Sequence, residues 1–392
     1  MMVKSMRCLA CVLMAFYVGD VSAEMMLEGY AGLAGEVYAE APLSAEQCCH
    51  RFNPQITLAP KLKWWNDDGW NVLLAPYSRY EPQADMIFGN WREANIAYNA
   101  QRYSVTVGID TVYWGVTEVY QPINIVNQYD GRIALGNDEK IGQPMLHFQY
   151  WPRWGEAQLL LLPFHQARPF REPQQRLSPG KPVGEEIVYS DGKRNLDLAA
   201  RVAFWRDELD LGISLFNGNS REPMLLDDGA QLLQSYASIT QLGLDLQWTK
   251  DDLLWKWESV AKHGEGKNYL TLVTGGEYSL YGFEFSPGQL GLIAEYTWDN
   301  RDSLAPPTLY NNDLFVGLRW QANDVSDTEL LLSGLFDLKK NSQLYQLTAS
   351  GRVSHHFRWV AEGFWLSAMS PTEPIFYMSK DSYLSLGLEY YF

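Results

Sequence analysis

The side chains best suited to chemistry are few: six histidines (His50, His147, His165, His263, His355 and His356) and the adjacent cysteines Cys48 and Cys49. Two thiols and an imidazole in the row Cys48-Cys49-His50 invite a metal reading, but they lack the spacing of a known zinc site. The other reading is a loop pair, incidental or oxidised. No histidine sits in a motif that fixes a nucleophile or a carboxylate beside it, so each is a general base only in principle. The sequence has no Gly-rich phosphate loop, spaced Cys/His pattern or EF-hand run, and Asp227-Asp228-Gly229 and Asn311-Asn312-Asp313 read as ordinary loops. The chain is read as a non-enzyme with no cofactor and no metal. Charge, by contrast, is plentiful inside segments where apolar and polar residues alternate. That pattern asks what positions the charges.

A period of two means a strand with one greasy and one polar face. Leu209, Leu211, Ile213 and Leu215 alternate with Asp210, Gly212 and Ser214; Leu242, Leu244, Leu246 and Trp248 alternate with Gly243, Asp245 and Gln247. The last nine residues, Leu384 to Phe392, place Leu384, Leu386, Leu388, Tyr390 and Phe392 on one face. Such a strand, ending on an aromatic with nothing left to cover it, suits a barrel whose greasy face meets lipid. The ending resembles the C-terminal signature of bacterial outer-membrane barrels, whose terminal Phe, here Phe392, the barrel-assembly machinery reads.

Eighteen strand-length segments can be read from 28–39 to 382–392, including 102–114; sixteen is the alternative count. Short turns such as Arg206-Asp207 and Ser286-Pro287-Gly288 alternate with long connections at 115–142, 165–194, 217–236, 299–310 and 369–381. Trp64, Trp151, Trp205, Trp248 and Trp320 fall at the same end of alternate strands, as in an interfacial girdle. The expected fold is all-β, a transmembrane antiparallel β-barrel of residues 24–392. Residues 1–23, with Lys4 and Arg7 before an apolar run and Val21-Ser22-Ala23 after it, read as a cleaved signal peptide. Its removal takes away Lys4, Arg7 and Asp20, so the net charge moves from −16 to −17. That acidity excludes a nucleic-acid partner, which asks for basic patches.

Pleat alternation then assigns the polar face to the lumen. Its charged members are Arg79, Glu93, Arg102, Asp110, Asp197, Arg201, Asp210, Asp245, Lys256, Glu258, Glu295, Arg319, Arg358 and Glu362. A basic side chain turned to lipid at the midplane costs roughly 2–4 kcal/mol, so these must line water or pair with one another. Both signs are present, which points to a wall-to-wall ion-pair network.

The connection 115–142 mixes Val, Ile and Tyr with polar residues, too apolar for a loop in water, and is expected to fold back into the barrel. Its ordinal position resembles that of the third loop of general porins, which narrows the pore. Glu118, Asp130 and Arg132 become constriction candidates; a lid packed over the rim is the alternative. The connection 165–194 is basic, with Arg168, Arg171, Arg176, Lys181, Lys193 and Arg194. It reads first as a solvated loop and second as a binder of lipopolysaccharide phosphates or an anionic solute.

The runs Tyr113-Trp114-Gly115-Val116-Thr117-Glu118, Ile125-Val126-Asn127-Gln128, Ile141-Gly142-Gln143-Pro144-Met145 and Asn312-Asp313-Leu314-Phe315-Val316-Gly317-Leu318-Arg319 resemble an uncharacterised family of proteobacterial outer-membrane barrel proteins. The resemblance spans about residue 90 to the end and implies barrel and location, with no substrate. The expected function is a porin-like channel for small hydrophilic solutes or ions, in contact with outer-membrane lipids and lipopolysaccharide. The alternatives are a non-conducting binding or scaffold barrel, and an outer-membrane hydrolase. Oligomeric state is open.

Overall fold

A computed structural model describes residues 23–44, 47–48, 51–133, 139–190, 196–283 and 286–392. The signal-peptide reading therefore falls, except for Ala23, outside the described residues. The strands, in chain order, are β1 (Ala23–Tyr38), β2 (Phe52–Asn66), β3 (Trp70–Glu81), β4 (Met86–Asn99), β5 (Tyr103–Asp110), β6 (Gln143–Tyr150) and β7 (Gly155–Leu162). They continue as β8 (Val183–Tyr189), β9 (Asp197–Arg206), β10 (Leu209–Asn219), β11 (Met224–Asp227), β12 (Leu232–Tyr236), β13 (Ser238–Lys250) and β14 (Leu253–His263). The last are β15 (Tyr269–Phe283), β16 (Ser286–Asp299), β17 (Asn312–Gln321), β18 (Glu329–Asp337), β19 (Gln343–Arg352), β20 (Phe357–Ser367) and β21 (Tyr383–Tyr391).

Eighteen of these form one sheet, each antiparallel to its neighbours, and β8, β11 and β12 form a separate three-stranded sheet. The large sheet closes: β1 pairs with β21 from Tyr30 opposite Tyr391 to Tyr38 opposite Tyr383. The N–H of Phe392 donates to the carbonyl of Gly29 at 3.1 Å, and that of Gly29 donates back at 3.2 Å. The terminal residue thus completes the seam. Closure matters because a barrel leaves no strand edge unpaired in lipid.

The turns at one end are tight. Those at 207–208 and 251–252 join strands through Asp207 (φ 54°) and Asp251 (φ 51°), short polar residues that tolerate the left-handed region. The Trp residues noted in the sequence stand here: Trp64, Trp205, Trp248 and Trp320 in the last turnward residues of β2, β9, β13 and β17, and Trp151 just past β6. Leu384, Leu386, Leu388, Tyr390 and Phe392 are all exposed on the outer face, Leu386 by 61%.

Three sequence expectations change. β5 stops at Asp110, not 114, because side chains replace the ladder: Asn127 Oδ1 takes the N–H of Val112 at 2.9 Å, and Asn124 Oδ1 that of Trp114 at 3.0 Å. Ser286, Pro287 and Gly288 belong to β16 rather than to a turn. The described part of the connection, 165–190, is not a solvated loop: it carries β8, which runs parallel to β12, and it packs across the barrel mouth.

Candidate functional site

In the connection between β5 and β6, residues 112–126 lie against one side of the barrel's inner surface. Trp114, Ile123, Ile125 and Val126 are buried with Met145 of β6, Leu160 and Leu162 of β7, Ala199 of β9, Phe216 of β10, Ile239 of β13 and Val260 of β14. These strands turn apolar residues inward over part of their length, and the loop covers them. Its base is tied by Lys140, which is 2% exposed: the ammonium donates to the carbonyls of Val112 (3.4 Å) and Asn124 (3.3 Å), makes a shorter bond to Asn124 Oδ1, and lies 5.2 Å from the rings of Tyr113 and Tyr129.

Two wall carboxylates hold the far part of the loop. Glu258 of β14 accepts the N–H groups of Val116 (2.6 Å) and Thr117 (2.9 Å) and the Thr117 hydroxyl (2.8 Å). Glu295 of β16 accepts the N–H of Glu118 (2.8 Å) and of Val119 (2.9 Å). Charge-assisted bonds to backbone N–H are the stronger class of hydrogen bond. Here they fix main chain, and that leaves the Glu118 side chain free to meet Arg319 of β17 at 2.5 Å and Lys256 of β14 at 3.6 Å. Arg319 also pairs with Glu277 of β15, over Gly291 of β16, where a Cβ would collide with the Glu277 carboxyl.

The sequence candidates therefore fall in several places. Glu118, Lys256, Glu258, Glu295 and Arg319 come together at the loop's far part. Asp130 and Arg132 pair with each other (2.7 Å) on the opposite side, where Asp130 also accepts from Asn90 of β4 at 2.9 Å and Arg132 lies 4.5 Å from the Phe88 ring. Arg201 of β9 reaches Asp245 of β13 in a two-pronged pair across Gly212 of β10, where a Cβ would collide with both side chains. Asp197 pairs with Arg221 at 2.8 Å, Glu93 with Lys61 at 2.9 Å, and Arg358 with Glu329 at 2.8 Å. Asp110 lies 3.9 Å from His147 and Arg79 5.9 Å from the Phe88 ring. Glu362 stands on β20 opposite Ser385, and Asp210 is exposed near the start of β10. Arg102 lies in the turn before β5, exposed, rather than on a strand.

Other charged groups emerge only in three dimensions. Glu222, between β10 and β11, accepts from Arg301 (3.0 Å) and from the Tyr120 hydroxyl (3.0 Å), with Lys262 at 3.5 Å. Burial works against its charge, yet Arg301 and Lys262 outweigh it and hold the carboxyl well below the usual carboxylate range. Tyr120 stacks on Tyr310 with ring centres 4.4 Å apart. This knot ties the inward loop to the connections 220–223 and 300–311. In the basic connection, Arg168, Arg171 and Arg176 each donate to groups inside the protein, and Lys181 pairs with Asp227 at 2.7 Å. Lys193 and Arg194 lie outside the described residues.

Among the histidines, His165 packs edge-on to Tyr236 at 4.4 Å beside Arg221, His263 meets Asn268, and His356 meets the Tyr391 carbonyl. Cys48 is disulfide-bonded, so its sulfur is not a free thiolate; Cys49 and His50 lie outside the described residues. Among the described residues, no group of three or more His, Cys, Asp or Glu is placed to hold a metal ion.

No protein-family model matches the chain, and no curated protein does. Among solved structures, it is similar to Pseudomonas aeruginosa OpdQ, with a TM-score of 0.55 at 9% identity, covering 96% of this chain and 99% of that one. It is equally similar to Acinetobacter baumannii OccAB3, with a TM-score of 0.55 at 9% identity, covering 96% of this chain and 100% of that one. At such identity the likeness is one of fold: this chain is a closed eighteen-stranded antiparallel barrel of the porin type.

Proposed function

We propose that this protein is an outer-membrane porin-type channel, exported through its leader 1–23, that passes small hydrophilic solutes or ions down their gradients. The observation that carries the reading is the division of the barrel interior. Residues 112–126 cover the inner side of β6, β7, β9, β10, β13 and β14, while inward charges on β2 and β4, such as the pair Lys61–Glu93, remain partly exposed. A wall of paired charges beside a fixed loop offers water and polar solutes hydrogen-bonding partners without trapping one sign of ion. Glu118, with Lys256 and Arg319, forms one edge of the constriction; Asp130 and Arg132 form another. The exposed apolar face meets lipid, the outer rim meets lipopolysaccharide, and Phe392 engages the barrel-assembly machinery.

The test is single-channel conductance of refolded residues 24–392 in a planar bilayer, beside a variant lacking most of 116–141. Steps in the intact protein that grow on deletion support a channel narrowed by this loop. Silence in both removes the channel reading and leaves a sealed barrel that presents its outer loops to a partner. One observation favours that second reading: a segment crosses the outer mouth.

A further inference from the structure

The segment 163–182 leaves the barrel at the end of β7 and does not return directly to β9. Around the ring, β7 and β21 are separated by β6 to β1 on one side, six strands, and by ten on the other. The segment nonetheless reaches β21. On its way, Phe170 bridges to Gly131 of the inward loop, and Arg171 donates to the carbonyl of Arg132 at 2.8 Å and lies 3.4 Å from Glu81 of β3. At the far side Arg176, 1% exposed, donates to Asp381 (2.6 Å) and to the carbonyls of Lys380 (2.6 Å) and Glu40 (3.2 Å), with Tyr38 under its guanidinium at 4.1 Å. Asp381 also accepts the N–H of Leu177 at 2.8 Å. Leu177 then inserts among Tyr38, Phe364, Met378 and Tyr383.

We propose that 163–182 is a strap that closes the outer mouth over the part of the lumen left open by the inward loop, with Arg176–Asp381 as its catch. The proposal rests on the channel reading for its consequence, gating, but not for its geometry. Two features mark a contact built to hold one position and release as a unit. The catch is a buried ion pair whose remaining donors are met by carbonyls, so loss of one partner strands a charge and weakens the whole contact. Next to it, Leu177 has φ 61°, in the left-handed region that a bulky side chain rarely adopts. Such a conformation persists only while its surroundings enforce it. When the catch opens, Leu177 relaxes and the strap keeps only its contacts on either side of that point: Arg168 on Gln128 (3.1 Å) and on the Tyr236 hydroxyl (2.8 Å), Arg171 on the Arg132 carbonyl (2.8 Å), Gln175 on Glu81 (2.9 Å) and, beyond it, Lys181 on Asp227 (2.7 Å).

The experiment pairs two readouts on protein refolded in lipid. A reporter thiol at Ser178→Cys, a position 1% exposed in the closed strap, is reacted with a membrane-impermeant maleimide, and the labelling rate is corrected for protein without the reporter. The same variants are recorded in planar bilayers. Asp381→Asn and Arg176→Lys are expected to raise the labelling rate at least tenfold and to lengthen the open time, with the step size unchanged. The control, Arg352→Ala, removes an exposed pair with Asp327 that touches no part of the strap and should move neither. Use of both catch variants guards against one failing to fold. Labelling as slow in both as in intact protein overturns the strap. Faster labelling with unchanged open times overturns the gating. Faster labelling with no steps in any variant, the 116–141 deletion included, keeps the strap and overturns the channel reading instead.

Discussion

Replacement of Glu258 by Ala is the sharpest probe of the inward loop. It leaves the N–H groups of Val116 and Thr117 and the Thr117 hydroxyl, now bonded at 2.6, 2.9 and 2.8 Å, without their acceptor. Each buried donor left unpaired costs about 1–3 kcal/mol. Water entering from the lumen recovers part of that, so the low end of the sum, about 3 kcal/mol, is expected for the change. At 1.4 kcal/mol per tenfold, this moves the balance between seated and detached loop by roughly 150-fold. Glu258→Gln keeps one acceptor oxygen and the shape, and should cost about 1 kcal/mol, roughly fivefold. The β14 ladder to β13 and β15 is backbone to backbone and is untouched, so the barrel itself should melt as before. Single-channel records report the loop: Glu258→Ala should add brief, larger openings and excess noise, and Glu258→Gln should lie between it and the intact protein. Because Glu295 still holds Glu118 and Val119, the pair Glu258→Ala/Glu295→Ala should exceed the sum of the single changes. Records of a folded Glu258→Ala barrel that match the intact protein would refute the carboxylate clamp.

Lys140→Met keeps the stem of the side chain but strands the carbonyls of Val112 and Asn124, at about 1–3 kcal/mol. Hydrogen exchange across 111–133 should speed by tenfold or more, with β5 and β6 unchanged. The Glu222 knot makes the outer loops acid-sensitive with a definite sign. A carboxyl held below its ordinary value of 4.5 contributes stability that is present above that value and is lost as the pH falls through its folded value. The difference in melting temperature between the intact protein and Glu222→Gln, which isolates this group, should therefore hold constant from neutral pH to about 4.5 and shrink below it.

The barrel was legible because its determinants are local. Alternation through Leu384–Phe392, Asp-containing tight turns and Trp at one end of the strands each follow from a few adjacent residues, and together they set eighteen strands and their facing. The end of β5 was not legible. Val112 and Trp114 continue the alternation, and only the distant Asn124 and Asn127 divert their N–H groups. Glu258 and Glu295 could be placed on the inner face, but their partners are backbone groups, which carry no residue identity. The arginines of 165–190 sit among prolines and other basic residues, as they would in a solvated loop. What buries them is Glu81, Glu40 and Asp381, far away in sequence. The small sheet was missed for the same reason, because the parallel pairing of β8 with β12 has no local signal.

Net charge is the property most easily misread for function here. A chain at −16 invites the expectation of a cation-selective lumen. Within the barrel, however, Asp245 is matched by Arg201, Glu93 by Lys61, Glu118 by Arg319 and Lys256, and Asp197 by Arg221. Glu258 and Glu295 are occupied by backbone N–H groups of the loop. Much of the unmatched acid lies instead in the short turns, where Asp67, Asp68, Asp251, Asp252 and Asp324 are exposed to solvent. Charges at a rim act over about one Debye length, roughly 10 Å at 0.1 M salt and 3 Å at 1 M. Cation preference, read as the reversal potential across a salt gradient, should therefore be modest at low ionic strength and fade as salt rises. Replacing Asp67, Asp68, Asp251 and Asp252 by Asn should lower what preference there is, while Arg201→Gln, which strands the buried Asp245, should raise it. A strong preference that persists in 1 M salt would contradict this placement of charge and put unpaired carboxylates on the conduction path.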